Sequence, residues 1–221
     1  MVLTVTDIGK IRSQIRQEIF DYRMLLQCLA DYSKPRDKIR RLLLRGDVVR
    51  VRKGLYVFGE VYRRGPVRRE VLANLIYGPS YVSLDYALAW HNLIPERVET
   101  VTSVTTGRSR DFATPFGAFT YRLLGEGRYA VGVCLEQADG TSFLMASPEK
   151  ALVDKVWSDK RFAGDALTDY GPYIVDDLRL DVHRLRTLDW RRLNAIGKAY
   201  ASPKIARLVR YLRTFQESGH A

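Results

Sequence analysis

Apolar residues along this chain change period several times, and each change predicts an element. Ile8, Ile11, Ile15 and Ile19 recur at intervals of three and four. That spacing predicts a helix over residues 6–18, with Thr6 or Asp7 as its cap. Leu25, Leu26 and Leu29 give residues 21–32 an apolar helical side, with Cys28 beside them. In the next stretch Ile39, Leu42 and Leu43 share one side of a short helix. Ser33 is placed to cap that helix, and Gly46 to end it. The period then falls to two. Residues 47–51 and 55–58 read as strands joined by a turn at Arg52-Lys53-Gly54. Tyr56 and Phe58 alternate with Val57, so one face of the returning strand is expected on the helices and the other in solvent.

Further on, Val71, Leu72, Leu75 and Ile76 predict a helix over 68–77, stopped by Gly78-Pro79. Tyr81 and Val82 are extended, and Ser83 is placed to cap a helix reaching Asn92. From Val98 to Leu144 the Val- and Thr-rich runs favour short strands, with turns at Pro115-Phe116-Gly117, Gly125-Glu126-Gly127 and Asp139-Gly140. Strands are expected at 98–106, from Ala118, at 129–135 and at 141–145. Ser147-Pro148-Glu149 is a helix start: a capping hydroxyl, proline at the first helical position and an acid in the first turn. Further helices are expected at 175–180, at 189–200 capped by Asp189, and at 204–215, with Gly219, His220 and Ala221 fraying. The fold class is therefore α+β. An N-terminal winged helix-turn-helix over 1–64 is followed, over 65–221, by a mixed α/β domain with a small mostly antiparallel sheet and C-terminal helices.

Charge sharpens this picture. Thirteen Lys or Arg lie between Lys34 and Arg69 against Asp37, Asp47 and Glu60, a net +10 out of +11 for the chain. Excess charge concentrated in one local segment suits a row of phosphates better than general solubility. A helix of this size fits the DNA major groove, where base edges are distinguishable. Arg36 and Arg40, one turn apart, are the candidates for reading bases. Lys34, Lys38, Arg52 and Lys53 are candidates for phosphates, and Arg41 completes the set.

Other chemistry is sparse. The two cysteines, Cys28 and Cys134, are distant and lack companions, which suits thiols in a reducing compartment. His91, His183 and His220 have no metal-ligand spacing. No phosphate-binding loop, HExxH or nucleophile elbow occurs. The expectation is a protein without enzymatic activity, cofactor or metal. MVLTVTDIGKIRSQ lacks the pattern of a secretory leader, and no run approaches twenty apolar residues. A cytoplasmic location with no membrane association is expected.

Three stretches carry a family resemblance: IRRLLLRGDVVRVRKGLYVFG, YGPSYVSLDYALAWHNLIPE and FLMASPEKALVDKVW, which together span about residues 36–157. In order and spacing they resemble the AbiEi-type antitoxins and transcriptional regulators of type IV toxin–antitoxin systems. The resemblance implies a winged helix that binds double-stranded DNA at an inverted-repeat operator as an autorepressor. It also implies a second domain that counteracts a nucleotidyltransferase-like toxin without forming a stable complex. Tyr81, Ser83, Glu149, Lys150 and Asp154 are the matching polar positions of that domain. A monomer or weak homodimer in solution, with cooperative assembly of two protomers on DNA, is the expected organisation. The alternatives are a protein-binding module and a stand-alone regulator without antitoxin activity.

Overall fold

The computed structural model describes residues 7–217. The Thr6 cap, the fraying end and His220 lie outside them. The fold is mixed α/β, with eleven helices and two sheets among the described residues. No helix among them is long and apolar enough to cross a membrane.

The first sheet grows out of three helices. α1 (Asp7–Gln14) buries Ile8 and Ile11, with Ile15 just beyond its end. A three-residue strand, β1 (Ile19–Asp21), follows where the helical spacing suggested none, because Ile19 pairs with Val57, far away in sequence. Asp21 then caps α2 (Tyr22–Cys28), accepting from the Met24 amide at 2.8 Å. α3 (Pro35–Leu44) starts one residue later than expected: Lys34 occupies the cap position, and Pro35 opens the helix. Ser33 is therefore not its cap. Gly46 (φ +72°) reverses the chain with a left-handed backbone that costs glycine little.

β2 (Val48–Arg52) and β3 (Leu55–Phe58) form a hairpin, and β1 joins the other side of β3 in antiparallel order β1-β3-β2. Gly59 closes this unit. Its amide bonds Asp47 O at 2.8 Å, and a Cβ there would run into the Gly46 carbonyl. Arg12 ties the unit together from within. Its guanidinium donates to the carbonyls of Ile15, Arg16, Gln17 and Tyr62, pairs with Glu18 and lies 4.4 Å from the centre of the Phe58 ring.

All four residues of β3 are buried, so the solvent-facing side expected for this strand does not exist. Tyr56 and Phe58 join α1–α3 in one core. Leu55 and Val57 point the other way and, with Val51 of β2, belong to the larger core of the following residues. Ordinary strand alternation sets Val48 and Val51 on opposite faces of β2, Val48 in the first core and Val51 in the second, and the register shifts between Arg50 and Arg52. Shared packing thus crosses the expected boundary at residue 64.

The second sheet has six strands in the order β6-β7-β5-β4-β9-β8: β4 (Ser80–Val82), β5 (Val101–Thr105), β6 (Arg110–Thr114), β7 (Gly117–Leu123), β8 (Val133–Ala138) and β9 (Thr141–Ala146). Three pairings are antiparallel, and two, β5 with β7 and β4 with β9, are parallel. α4 (Arg69–Ile76) and α5 (Leu84–Trp90) pack on this sheet. Gly125-Glu126-Gly127 is not a plain turn: α6 (Glu126–Tyr129) starts there, taking Tyr129 out of the expected strand. α7 (Pro148–Ser158) begins at Ser147 as expected, whose hydroxyl accepts from the Lys150 amide at 3.2 Å.

The remaining chain covers α7. The helix expected at 175–180 instead occupies α8 (Tyr170–Pro172) and a wider turn continuing through Tyr173–Asp177. After the single turn α9 (Val182–Leu185), α10 (Trp190–Tyr200) is capped by Asp189 as expected, and α11 (Pro203–Glu217) follows.

Candidate nucleic-acid interface

α3 turns Ile39 and Leu42 inward. Helical geometry therefore turns Arg36, Asp37, Arg40, Arg41 and Leu44 outward, since they fall within one arc of the opposite side. All five are exposed. Arg36, Arg40 and Arg41 make no ion pair or side-chain hydrogen bond among the described residues, and neither do Lys34 and Lys53. Lys38 lies over the Tyr32 ring at 5.3 Å, on the flank of the helix. Arg52 is exposed at the end of β2, and its charge reaches the Tyr121 hydroxyl in the second sheet. The structure thus gathers Arg36, Arg40 and Arg41 on one open face, with Lys53 in the hairpin turn.

Other basic residues of the same tract are already engaged. Arg45 forks onto Asp47, with Nε 2.7 Å from Oδ2. Arg63 donates to the Phe58 carbonyl at 2.9 Å and stands over Phe116. Arg68 pairs with Glu70 and Asp139, and Arg69 with Glu99. The local net charge counts residues of both kinds. The structure separates cations that hold the fold together from cations directed at solvent.

The five family-matched polar positions beyond residue 64 have a different setting. Asp154 accepts from Tyr81 at 2.9 Å and from Ser83 at 2.6 Å through Oδ2. On its other oxygen it accepts from Tyr200 and pairs with Lys150 at 3.2 Å. Lys150 also donates to Tyr200 at 2.9 Å and to the Arg128 carbonyl at 2.6 Å. Lys150 and Asp154 are one turn apart on α7, so a single helix supplies both charges. Burial lowers the Lys150 ammonium below the usual lysine range, although Asp154 pulls the other way. Burial, reinforced by the Asp154 charge, raises both Tyr81 and Tyr200, which keeps them as donors.

This network has no solvent-facing member among Tyr81, Ser83, Lys150, Asp154 and Tyr200. It joins β4, α7 and α10, and none of these side chains is placed to touch a partner. Ser83 does stand at the α5 N-cap position, but its hydroxyl serves Asp154 instead of the helix. Glu149 lies apart from the network. It accepts from Ser147 at 2.8 Å and from the Asp189 amide at 2.7 Å, holding the start of α10. Tyr200 and Arg128 complete the arrangement. No local pattern singled them out, because they meet Lys150 only through tertiary folding.

His91 donates from Nε2 to the Ala146 carbonyl, 2.8 Å away, as a structural histidine would. Asp85 pairs with Lys155 at 2.6 Å. Among the described residues, no group of three or more His, Cys, Asp or Glu is arranged to hold a metal ion. No protein-family model matches the chain, and no curated protein matches it.

Proposed function

We propose that this chain is a sequence-specific, non-enzymatic DNA-binding protein whose residues 1–64 act as a winged helix. The order α1-β1-α2-α3-β2-β3, with the sheet ordered β1-β3-β2, supports that reading. The observation that carries it is the contrast between cations. Arg36, Arg40 and Arg41 lie together on an exposed helix face without a partner among the described residues, while Arg45, Arg63, Arg68 and Arg69 are committed to the fold. In this reading α3 enters the major groove, Arg36 and Arg40 read bases, and Lys34 and Lys53 meet phosphates.

The wider role rests on the three matching sequence stretches. The protein represses its own operon at an inverted repeat and counteracts a nucleotidyltransferase-like toxin without a stable complex. Inaccessibility of Tyr81, Ser83, Lys150 and Asp154 favours a stabilising role for those positions. It gives weight to the second reading, a stand-alone regulator.

The test is binding to the chain's own upstream DNA and to random duplex over a range of salt concentrations. Arg40→Ala should lose about 1–3 kcal/mol of discrimination if Arg40 makes a bidentate base contact. Equal binding of native and R40A protein to both duplexes would remove the base-reading role. Co-expression with the neighbouring toxin gene, from an independent promoter, tests the antitoxin role through growth.

A further inference from the structure

The two edges of the six-stranded sheet are built differently. β6, at one edge, carries Arg110 and Asp111. Asp111 accepts from Arg122 at 2.8 Å, and Arg110 lies over Tyr77 at 5.4 Å. Charges of this kind guard an edge against pairing with another strand. β8, at the other edge, has the sequence VCLEQA, with neither lysine nor proline. Leu135 is 64% exposed at its middle, and its cross-strand partner Leu144 is 41% exposed.

The direction of the β8 backbone groups follows from β9. Leu144 gives its N–H to Asn74 Oδ1 at 2.6 Å and takes the Asn74 amide on its carbonyl at 3.2 Å, on the β4 side. Leu144 therefore faces away from β8, and Leu135–Leu144 is a non-hydrogen-bonded pair. In an antiparallel ladder the N–H and C=O of Leu135 then point out from the free edge. The same alternation turns Gln137 outward. Val133 is turned outward too, but its N–H already meets the Ala130 carbonyl at 3.3 Å.

We infer that β8 is a self-association edge, joining two copies of this chain through antiparallel β8–β8 pairing about a two-fold axis at Leu135. In that register each Leu135 N–H donates to the Leu135 carbonyl of the other copy, and each Gln137 N–H to the Val133 carbonyl of the other copy. The occupied Val133 N–H is not required. Leu135 and Leu144 of both copies form one apolar patch. Glu136 falls opposite Cys134, whereas an axis one residue later would set two Glu136 carboxylates against each other, which is unfavourable. Pairing β8 with β6 would be a head-to-tail contact that does not close, and β6 is the charged edge. This inference goes beyond DNA binding and does not depend on it.

The test uses the full chain without DNA, measured by sedimentation over a range of concentrations. Native protein should shift from the protomer mass to twice that mass as concentration rises. Leu135→Lys places a charge on the edge, and Leu135→Pro removes the outward N–H without touching the β9 ladder. Both should remain protomers with unchanged circular dichroism, while Leu135→Ile should still dimerise. For the register, the double variant C28S/E136C should form a covalent dimer on oxidation, the introduced thiol of one copy joining Cys134 of the other, whereas C28S alone should not. Native protein that stays a single protomer at every concentration would overturn the inference, as would L135K dimers as tight as native. A covalent dimer of C28S alone would overturn the proposed axis.

Discussion

Replacing Asp154 by Asn tests the buried network most directly. The change keeps the size of the side chain, so no cavity opens, but it removes the charge opposite Lys150. Lys150 has no exposed side-chain surface and Asp154 only 1%. Breaking a buried pair from one side costs about 3–5 kcal/mol. Lys150 can limit that cost by losing its proton. Neutralising an ordinary lysine of pKa about 10.4 at pH 7 costs about 4.6 kcal/mol, at about 1.36 kcal/mol per unit. Since burial already lowers Lys150, this route costs less than that ceiling. A loss of about 3–4 kcal/mol results, or a fall in Tm of about 6–16 °C for a chain of this size. The assay is reversible thermal or denaturant unfolding of the full chain. The double variant Lys150→Met/Asp154→Asn removes both charges and should cost less than D154N alone, with a coupling of about 0.5–3 kcal/mol. DNA affinity, measured where every variant is folded, should not change. D154N within about 1 kcal/mol of native would refute the view that this pair stabilises the domain.

Three further outcomes follow from other parts of the structure. Lys53→Ala should weaken binding to every DNA sequence alike and reduce the salt slope by about 1; a loss confined to operator DNA would contradict its assignment to phosphate. A fragment of residues 1–64 should be much less stable than the same residues in the full chain, because Val51, Leu55 and Val57 lose their cover. Each buried side chain of that type contributes up to about 1.5–3 kcal/mol, and hydrogen exchange at β3 in fragment and full chain measures the difference. Alkaline pH should unfold the protein, with tyrosinate absorbance and loss of circular dichroism rising together. Tyr81, Tyr86, Tyr121, Tyr173 and Tyr200 are all raised by burial, and Tyr170 is pushed up to about 12. The folded state then holds protons that the unfolded chain releases above about pH 10, so this stability is present below about pH 10 and is lost as pH rises further. Lys150 and Lys204, both lowered, act with the opposite sign, but the tyrosines outnumber them. Tyrosinate forming well before structure is lost would contradict the shared cause.

Much of the basic unit was legible locally. The α3 stripe of Ile39 and Leu42, Gly46 at its end and the Lys53-Gly54 turn each need only a few neighbouring residues. The Ser147 and Asp189 caps were readable for the same reason. β1 was not, because Ile19 continues the helical spacing of Ile8, Ile11 and Ile15 while its actual partner is Val57. Position and role also separate at Ser83, which stands where a cap belongs but bonds Asp154 from another element. For the exposed cations, the tract and its charge could be counted residue by residue. Only packing distinguished Arg40, which is open, from Arg63, which is spent on the Phe58 carbonyl.

The burial of β3 on both faces also has a consequence for synthesis on the ribosome. Its helical side can be covered as soon as the first 58 residues have emerged, since α1, α2 and α3 all precede it. Its other side shares a core with Phe119 and Tyr121 of β7, which ends at Leu123, 65 residues after Phe58. At about 5–20 residues per second, that delay is about 3–13 s. During this interval the core that Leu55 and Val57 join, which also takes in Leu72, Ala73 and Ile76 of α4, is incomplete. The nascent chain is therefore most exposed to misassociation after α3 has formed and before the sheet behind it arrives.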